Sequence, residues 1–461
     1  MKLFTSTITA ALGLMSLPIP AVEKNQPNII FFLADDMGIG DAGCYGQKII
    51  KTPNIDALAS SGVQFMQHYS GSTVSAPSRC ALMTGKHTGQ AAIRGNGSSA
   101  VRNEDADLSL PPEEITVAEI LKEKGYATAC VGKWGLGGPQ SNGSPVNQGF
   151  DYFFGYLSQG AAHRYYPEFL YENESKYPLN GQYSHTLIMQ KGLEFIEKNA
   201  ARPFFTYFAV TPPHADLDIP DLGIYNNKFP ENPHINNSTK GYKTQLQPKA
   251  AYAAMVSELD RNVGQIIELL KKKGIYENTI IIFSSDNGVH KVGGNDPDFF
   301  DSNGPFRGYK RDLYEGGIRA PFIVSWKNKI RTPFVSYHIS AFWDFLPTVC
   351  DIVGGETPKG VNGISFLPEL LHDNRSQSKH DYVYFEFYEQ GGKQSILSAD
   401  GWKLIRLQVS NPKKTYEELY NLKFDPGELA NVITQYPDIA EKLRAEMAAQ
   451  RTDNENFSFS K

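Results

Sequence analysis

The sequence predicts an α/β fold: a large doubly wound, mostly parallel sheet sandwiched by helices, plus a small C-terminal antiparallel sheet with one helix. Three observations carry that prediction. Apolar runs of strand length recur without polar alternation around Ile29–Leu33, Tyr126–Val131, Phe204–Val210 and Thr279–Phe283, as strands buried on both faces require. Stretches of helical spacing separate them, most clearly Ala250 to Lys273, where Met255, Leu259, Val263, Ile266, Ile267 and Leu270 share a face. Beyond about residue 380 the pattern changes to short strand-like pieces divided by turn residues.

In chain order, Met1 and Lys2 precede an apolar run from Leu3 to Ile19 and then polar Glu23-Lys24-Asn25-Gln26. This reads as a secretory signal peptide over residues 1–21, cleaved near Ala21. No cysteine follows the run, so the expected product is an exported protein, secreted or held in a bacterial periplasm, with no membrane attachment after cleavage. The first mature strand, Pro27 to Ala34, ends abruptly at Asp35-Asp36-Met37-Gly38. Two adjacent carboxylates at the end of a buried strand are costly unless a cation receives them. In open α/β sheets that edge is where ligands bind.

Ser75-Ala76-Pro77-Ser78-Arg79 reads as the start of a helix, with Pro77 pre-setting the first turn. Its free N–H groups and dipole attract an anion, and Arg79 adds a fixed charge beside the Ser75 hydroxyl. An ordinary capped surface helix is the alternative. A capping box, Thr116-Val117-Ala118-Glu119, opens the next helix, and Gly125 closes it. The strand that follows ends in Gly132-Lys133-Trp134. The next two end in Thr211-Pro212-Pro213-His214 and Ser284-Ser285-Asp286-Asn287-Gly288.

A strand from Pro321 to Trp326 and a helix through Ala341–Pro347 close a large domain spanning residues 22–365. Gly354 to Ser378 is rich in turn residues and reads as a connector. The small domain, 366–461, carries strand-like pieces at Tyr382–Phe387, Gln394–Ser398, Trp402–Arg406 and Glu417–Asn421, then a helix from Ala440 to Gln450.

Four strands that each release an ionisable or polar cluster on one edge point to one assembled site. Asp35, Asp36, Asp286 and Asn287 offer hard oxygen ligands, which suit calcium or magnesium and disfavour zinc. A net charge of −5 and no basic stripe argue against a nucleic-acid partner. Cys44, Cys80, Cys130 and Cys350 are too scattered for a disulfide framework or a metal site, which leaves free thiols. Tyr152 to Tyr177 is dense in aromatics with His163, Arg164, Glu168 and Glu172 interspersed, suited either to stacking on a sugar or to packing on the core.

These motifs resemble, in order, those of the formylglycine-dependent sulfatases of the alkaline-phosphatase-like superfamily. The likeness covers about residues 26–432 and includes Pro27-Asn28-Ile29-Ile30 with Asp35-Asp36, Ser75-x-Pro77-x-Arg79 with Leu82-x-Thr84-Gly85, Gly132-Lys133-Trp134, and Ser285-Asp286-Asn287-Gly288. Lys310-x-x-x-Tyr314-Glu315-Gly316-Gly317, Leu419-Tyr420-Asn421-Leu422 and Asp425-Pro426-Gly427-Glu428 extend it.

The resemblance implies that a maturation enzyme oxidises Ser75 to formylglycine, whose hydrate attacks sulfur. It implies one calcium ion on Asp35, Asp36, Asp286, Asn287 and the modified Ser75. Arg79, Lys133 and Lys310 would stabilise the transferring sulfuryl group, and His214 with Lys310 would protonate the leaving oxygen. The implied substrate is a sulfated saccharide, closest to galactose or N-acetylgalactosamine sulfate at a glycan terminus. The rival readings are a phosphomonoester or phosphonate hydrolase of the same superfamily, and a non-catalytic binder of sulfated glycans if Ser75 stays unmodified.

There is one departure. The family pattern has histidine after Gly-Lys-Trp, assigned as the base that collapses the sulfated intermediate, whereas here Gly135 follows Trp134. His87, His163 and His290 are the histidines near the motifs that could contact substrate or assist, with Arg164 beside His163.

Overall fold

A strand with large apolar side chains on both of its faces needs two cores, and β1 (Asn28–Ala34) has them. Ile30, Phe32 and Ala34 enter one core, while Ile29, Phe31 and Leu33 enter the other. The computed structural model describes residues 26–96, 108–238, 240–373 and 375–459. The expected signal peptide lies outside them.

The remaining strands are β2 (Val63–Phe65), β3 (His68–Tyr69), β4 (Ala127–Lys133), β5 (Tyr152–Tyr156), β6 (Phe169–Glu172), β7 (Ser175–Pro178), β8 (Phe204–Ala209), β9 (Thr279–Ser285), β10 (Phe322–Ser325), β11 (Phe334–Ser336) and β12 (Ser340–Ala341). Nine of them join β1 in one ten-stranded sheet, in the order β11-β2-β10-β9-β1-β8-β4-β5-β6-β7. Its centre, from β9 to β5, is parallel. At one margin β10 runs antiparallel to β9 and to β2, and at the other β5, β6 and β7 form an antiparallel meander. The sheet is therefore mixed at its edges around a doubly wound parallel centre. A separate two-stranded piece pairs β3 with β12.

Helices cover both faces. Ser184–Asn199 and Pro248–Lys272 pack into the core containing Ile30 and Phe32. Ser75–Thr84, Val117–Glu123 and Phe345–Val353 pack into the one containing Phe31. The capping box forms: Thr116 Oγ1 accepts from Glu119 N, and Thr116 N donates to Glu119 Oε2 at 2.8 Å. Gly125 follows with φ +84, a left-handed closure that glycine adopts without steric cost.

The C-terminal segment forms the antiparallel sheet β13 (Tyr382–Phe387), β14 (Lys393–Ser398), β15 (Trp402–Leu407) and β16 (Tyr416–Asn421). The helix Pro437–Ala449 covers it through Ala440, Leu443 and Met447. A buried ionic cluster fastens this sheet to the larger one. Lys403 Nζ lies 2.8 Å from both Glu315 Oε1 and Glu428 Oε1, and Arg319 Nε donates to Glu315 Oε2 at 2.7 Å. All four cysteines are free, with Cys80, Cys130 and Cys350 buried. Among the described residues no helix is long and apolar enough to cross a membrane.

Candidate active site

Four adjacent parallel strands, β9, β1, β8 and β4, end at one edge of the sheet. Asp286 and Asn287 follow β9, Asp35 and Asp36 follow β1, His214 lies just beyond β8, and Lys133 closes β4. The apolar runs bury the strands, and each polar residue sits where its run stops. Asp36 has φ +64, a left-handed conformation uncommon outside glycine, and its N–H donates to Asp286 Oδ1 at 3.1 Å. That turn directs both carboxylates into the site, and strain of this kind clusters at functional sites.

The helix Ser75–Thr84 points its N-terminus at this edge. Its N-cap residue is Val74, with no side-chain cap, so the Ser75 hydroxyl is not used to start the helix. Instead Ser75 Oγ donates to Asp35 Oδ1 at 3.2 Å and lies 3.0 Å from Lys133 Nζ. All ten residues of the helix are buried, which disposes of the capped-surface-helix alternative.

Three fixed cations face the carboxylates. Lys133 Nζ donates to Asp35 Oδ2 at 2.6 Å, and Lys310 Nζ donates to Asp36 Oδ2 at 2.8 Å. Arg79 donates to Asp286 Oδ2 from Nε at 3.2 Å and from Nη2 at 2.9 Å, and to the Lys133 carbonyl from Nη1 at 2.8 Å. Burial alone would raise Asp35, but Lys133, His214 and Arg79 outweigh it and hold the carboxyl well below its usual range. Lys310 and His290 likewise outweigh burial at Asp36. Asp286 is pushed up to about 6, by burial first and then by Asp35.

The histidines separate by environment. His214 Nε2 lies 3.4 Å from Asp36 Oδ2, while its Nδ1 contacts the Ala215 carbonyl, which can only accept. Nδ1 therefore carries the hydrogen. Burial, then Lys310, holds His214 well below the ordinary imidazole value. The His163 ring stands edge-on to His214 at 4.5 Å and stacks on Tyr242 at 5.7 Å, so it joins the site. Burial, then Lys133 and Lys310, lowers it to about 3.

His290 has both ring nitrogens engaged. Nε2 donates to the Pro213 carbonyl at 3.1 Å, and Nδ1 accepts from Val292 N at 3.2 Å. It supports the turn that carries His214 and keeps no ring nitrogen for substrate. His87 sits elsewhere, its ring against Trp343 and Tyr384 and its Nδ1 accepting from Gly89 N, so the structure does not bring it to these residues. Arg164 pairs with Asp216 at 2.7 Å, on the loop that carries His163.

The oxygen-rich cluster fits a hard divalent cation. Asn287 donates from Nδ2 to Asp36 Oδ1 at 2.6 Å, which leaves Oδ1 buried without a hydrogen-bond partner beside three carboxylates. A buried acceptor of that kind is satisfied by a cation. Asp35, Asp36 and His214 also place ligand atoms within 4.8 Å of one another. The orphaned Asn287 oxygen favours the all-oxygen set.

Three further residues shape this surround, and of them only Ser285 stands in one of the motifs. Ser285 Oγ accepts from Met37 N at 2.8 Å and fixes the Asp35-Asp36 turn. Asn96 Oδ1 accepts from Ala76 N at 2.9 Å at the start of the Ser75 helix. Gln159 packs against Gly135. For Gln159 the one signal was Gly135, the break in a motif, and Asn96 had none.

With this geometry in hand, the likeness to known proteins is specific. The family described as Sulfatase matches residues 27–355, and the one described as N-sulphoglucosamine sulphohydrolase, C-terminal, matches residues 304–453. The chain is 32% identical over 460 residues to N-acetylgalactosamine-6-sulfatase of Rattus norvegicus, covering 93% of this chain and 79% of that protein. It is 32% identical over 393 residues to N-acetylgalactosamine-6-sulfatase of Canis lupus familiaris, with coverage of 78% and 68%. The crystal structure of Ps i-CgsB in complex with k-i-k-neocarrahexaose superposes with a TM-score of 0.77 at 27% identity, covering 94% of this chain and 95% of that one.

Proposed function

The chain belongs to the sulfatase family and is a sulfuric ester hydrolase, and from that premise we propose that it removes sulfate from a sulfated carbohydrate, a galactose or N-acetylgalactosamine sulfate at a glycan terminus, at the site built around Ser75. The observation that carries the reading is the Ser75 hydroxyl itself: buried at a helix N-terminus, bonded to Asp35 and Lys133, and surrounded by the cations Arg79, Lys133 and Lys310. The names of the similar proteins, an N-acetylgalactosamine-6-sulfatase and a protein in complex with neocarrahexaose, support the carbohydrate class.

Ser75 carries a plain hydroxyl here and stands for the precursor of formylglycine. Its oxidation by a maturation enzyme would give an aldehyde, and addition of one water would then supply two hydroxyls on one carbon, one to attack sulfur and the other to expel sulfate and restore the aldehyde. Asp35, Asp36, Asp286 and Asn287, with the modified Ser75, would hold one calcium ion, which would fix a sulfate oxygen and favour the ionised nucleophile.

The chain's own residues divide the remaining work. Lys133, next to both Ser75 and Asp35, is placed to hold a sulfate oxygen and steady the charge that builds during transfer. Arg79 braces Asp286 and the Lys133 carbonyl, which fixes that geometry. Lys310 approaches from the Asp36 side. Neutral His214 presents a bare Nε2, so it must gain a proton before it can donate one to the leaving oxygen. A bound sulfate's negative charge favours that gain. His163, from the aromatic loop, and Arg164 behind it would meet the sugar.

The test is peptide mass spectrometry of the Ser75 segment from native-host protein, with sulfate release from sulfated monosaccharides measured on the same sample. Loss of about two hydrogens at Ser75 together with sulfate release is expected. An unmodified serine with no turnover would refute the mechanism and favour a sulfated-glycan binder, while turnover of phosphate or phosphonate esters alone would favour the other hydrolase class.

A further inference from the structure

Position 135 lies two residues past Lys133, just beyond the end of β4. Trp134 N donates to Tyr156 O at 2.9 Å, and Gly135 N donates to Leu157 O at 3.0 Å. Trp134 and Leu136 both enter the core on one face of the sheet. Lys133, the last residue of β4, faces the other way, and Gly135 follows two residues later with φ +75, off the extended backbone. Lys133 reaches Ser75 Oγ, so position 135 lies two residues along the chain from a side chain that contacts the nucleophile.

The space beside Gly135 is filled from elsewhere. Gly135 has φ +75, and a Cβ built on it would lie 1.8 Å from Gln159 Nε2 and 2.8 Å from Gln159 Cδ. The Gln159 carboxamide thus sits where a side chain of residue 135 would begin. Gln159 is only 8% exposed, and four residues later on the same loop His163 faces His214.

We infer that Gln159 is a further substrate-contacting residue, whose carboxamide occupies the position beside Lys133 that residue 135 leaves open and there gives a neutral hydrogen bond to the bound sulfate group. This rests on the sulfatase reading. A carboxamide both donates and accepts but exchanges no proton at ordinary pH, whereas an imidazole in the same place would titrate near neutrality. The wild-type pH–rate profile therefore carries no ionisation from this position. Gly135 and Gln159 form one unit: the left-handed glycine is what admits the amide.

The experiment is a double-mutant cycle on the full-length, Ser75-converted enzyme: Gln159→Ala, Gly135→His, and Gly135→His with Gln159→Ala, each assayed for kcat, KM, pH profile and thermal midpoint. Gln159→Ala is expected to lose about a hundredfold in kcat, the scale of one donor to developing charge, with a near-native thermal midpoint. Gly135→His alone loses both activity and thermal midpoint through collision with the amide. The double variant regains the thermal midpoint and part of kcat, with a new imidazole ionisation in its pH profile.

Gln159→Ala with native kcat and KM would overturn the contact. A Gly135→His variant as stable and active with Gln159 as without it would overturn the pairing. If the wild type releases no sulfate from any sulfated sugar, the sulfatase reading fails separately. The thermal cycle then still decides whether 135 and 159 share one space, and heat protection by inorganic sulfate that is equal in wild type and Gln159→Ala overturns the contact.

Discussion

Lys133→Met is the perturbation that bears most directly on the proposed chemistry. Methionine keeps the length and apolar stem of lysine and removes only the ammonium group. In the wild type that ammonium lies 2.6 Å from Asp35 Oδ2 and 3.0 Å from Ser75 Oγ, with the side chain 2% exposed. Once it is gone, the nearest cation to Asp35 is Arg79, whose Nη2 lies 3.5 Å from Asp35 Oδ2 and only 2.9 Å from Asp286 Oδ2. Arg79 therefore compensates weakly.

Two costs follow. Removing one partner of a buried ion pair destabilises by about 3–5 kcal/mol. Removing one preorganised donor to developing charge costs about 2.7–4 kcal/mol of transition-state stabilisation, or roughly a hundred- to a thousandfold in kcat. The assay is release of inorganic sulfate from N-acetylgalactosamine 6-sulfate, with the Ser75 peptide weighed in the same preparation so that failed maturation is separated from failed catalysis. The expected variant is folded and converted, with kcat down roughly a thousandfold and KM changed far less, because the loss is confined to the transition state. A converted variant within tenfold of wild-type kcat would refute the placement of Lys133 against the transferring group.

Three further outcomes are expected. Chelation should lower the thermal midpoint and abolish sulfate release, with calcium restoring both; a site loaded at a hundred times its dissociation constant contributes about 2.7 kcal/mol, and an enzyme unchanged by chelator in both readouts would exclude the ion. Lys403→Met leaves the buried Glu315 and Glu428 without their shared cation, so chemical denaturation should show a loss of about 3–5 kcal/mol, and an unaltered midpoint would show that the cluster does not fasten the small sheet. Asp41 is pushed up to about 7 by burial, against hydrogen bonds from Ser302, Tyr252 and Gly38 N. Its raised pKa contributes stability present below the unfolded value near 3.8 and lost as pH rises toward 7, so the thermal midpoint of Asp41→Asn relative to wild type should climb between pH 4 and pH 8; a pH-independent difference would refute this.

What could be read in advance was whatever short-range chemistry encodes. A buried parallel strand must be apolar along its whole length, so its end is visible, and with it Asp35, Lys133, His214 and Asp286. The antiparallel direction of β10 and the β6–β7 hairpin were not visible, because strand direction depends on the path of the connection and not on the residues within the strand. The histidines show the same limit more sharply. His87 and His163 are equally plausible on position along the chain, yet one turns to Trp343 and Tyr384 and the other to His214, a choice made entirely by packing.

Gly135 lies between these cases. As a residue it is legible, a missing side chain in an otherwise complete motif, but its meaning is not, because the group that fills the gap comes from a loop 24 positions later. A glycine at φ +75 two residues beyond the end of β4 is hard to explain by the backbone alone, since Gly135 N still donates to Leu157 O at 3.0 Å. It is explained once the Gln159 carboxamide is seen to need the volume that any Cβ would occupy. A broken motif thus has two readings, loss of a function or transfer of it to a neighbour, and steric exclusion between the two positions is what distinguishes them.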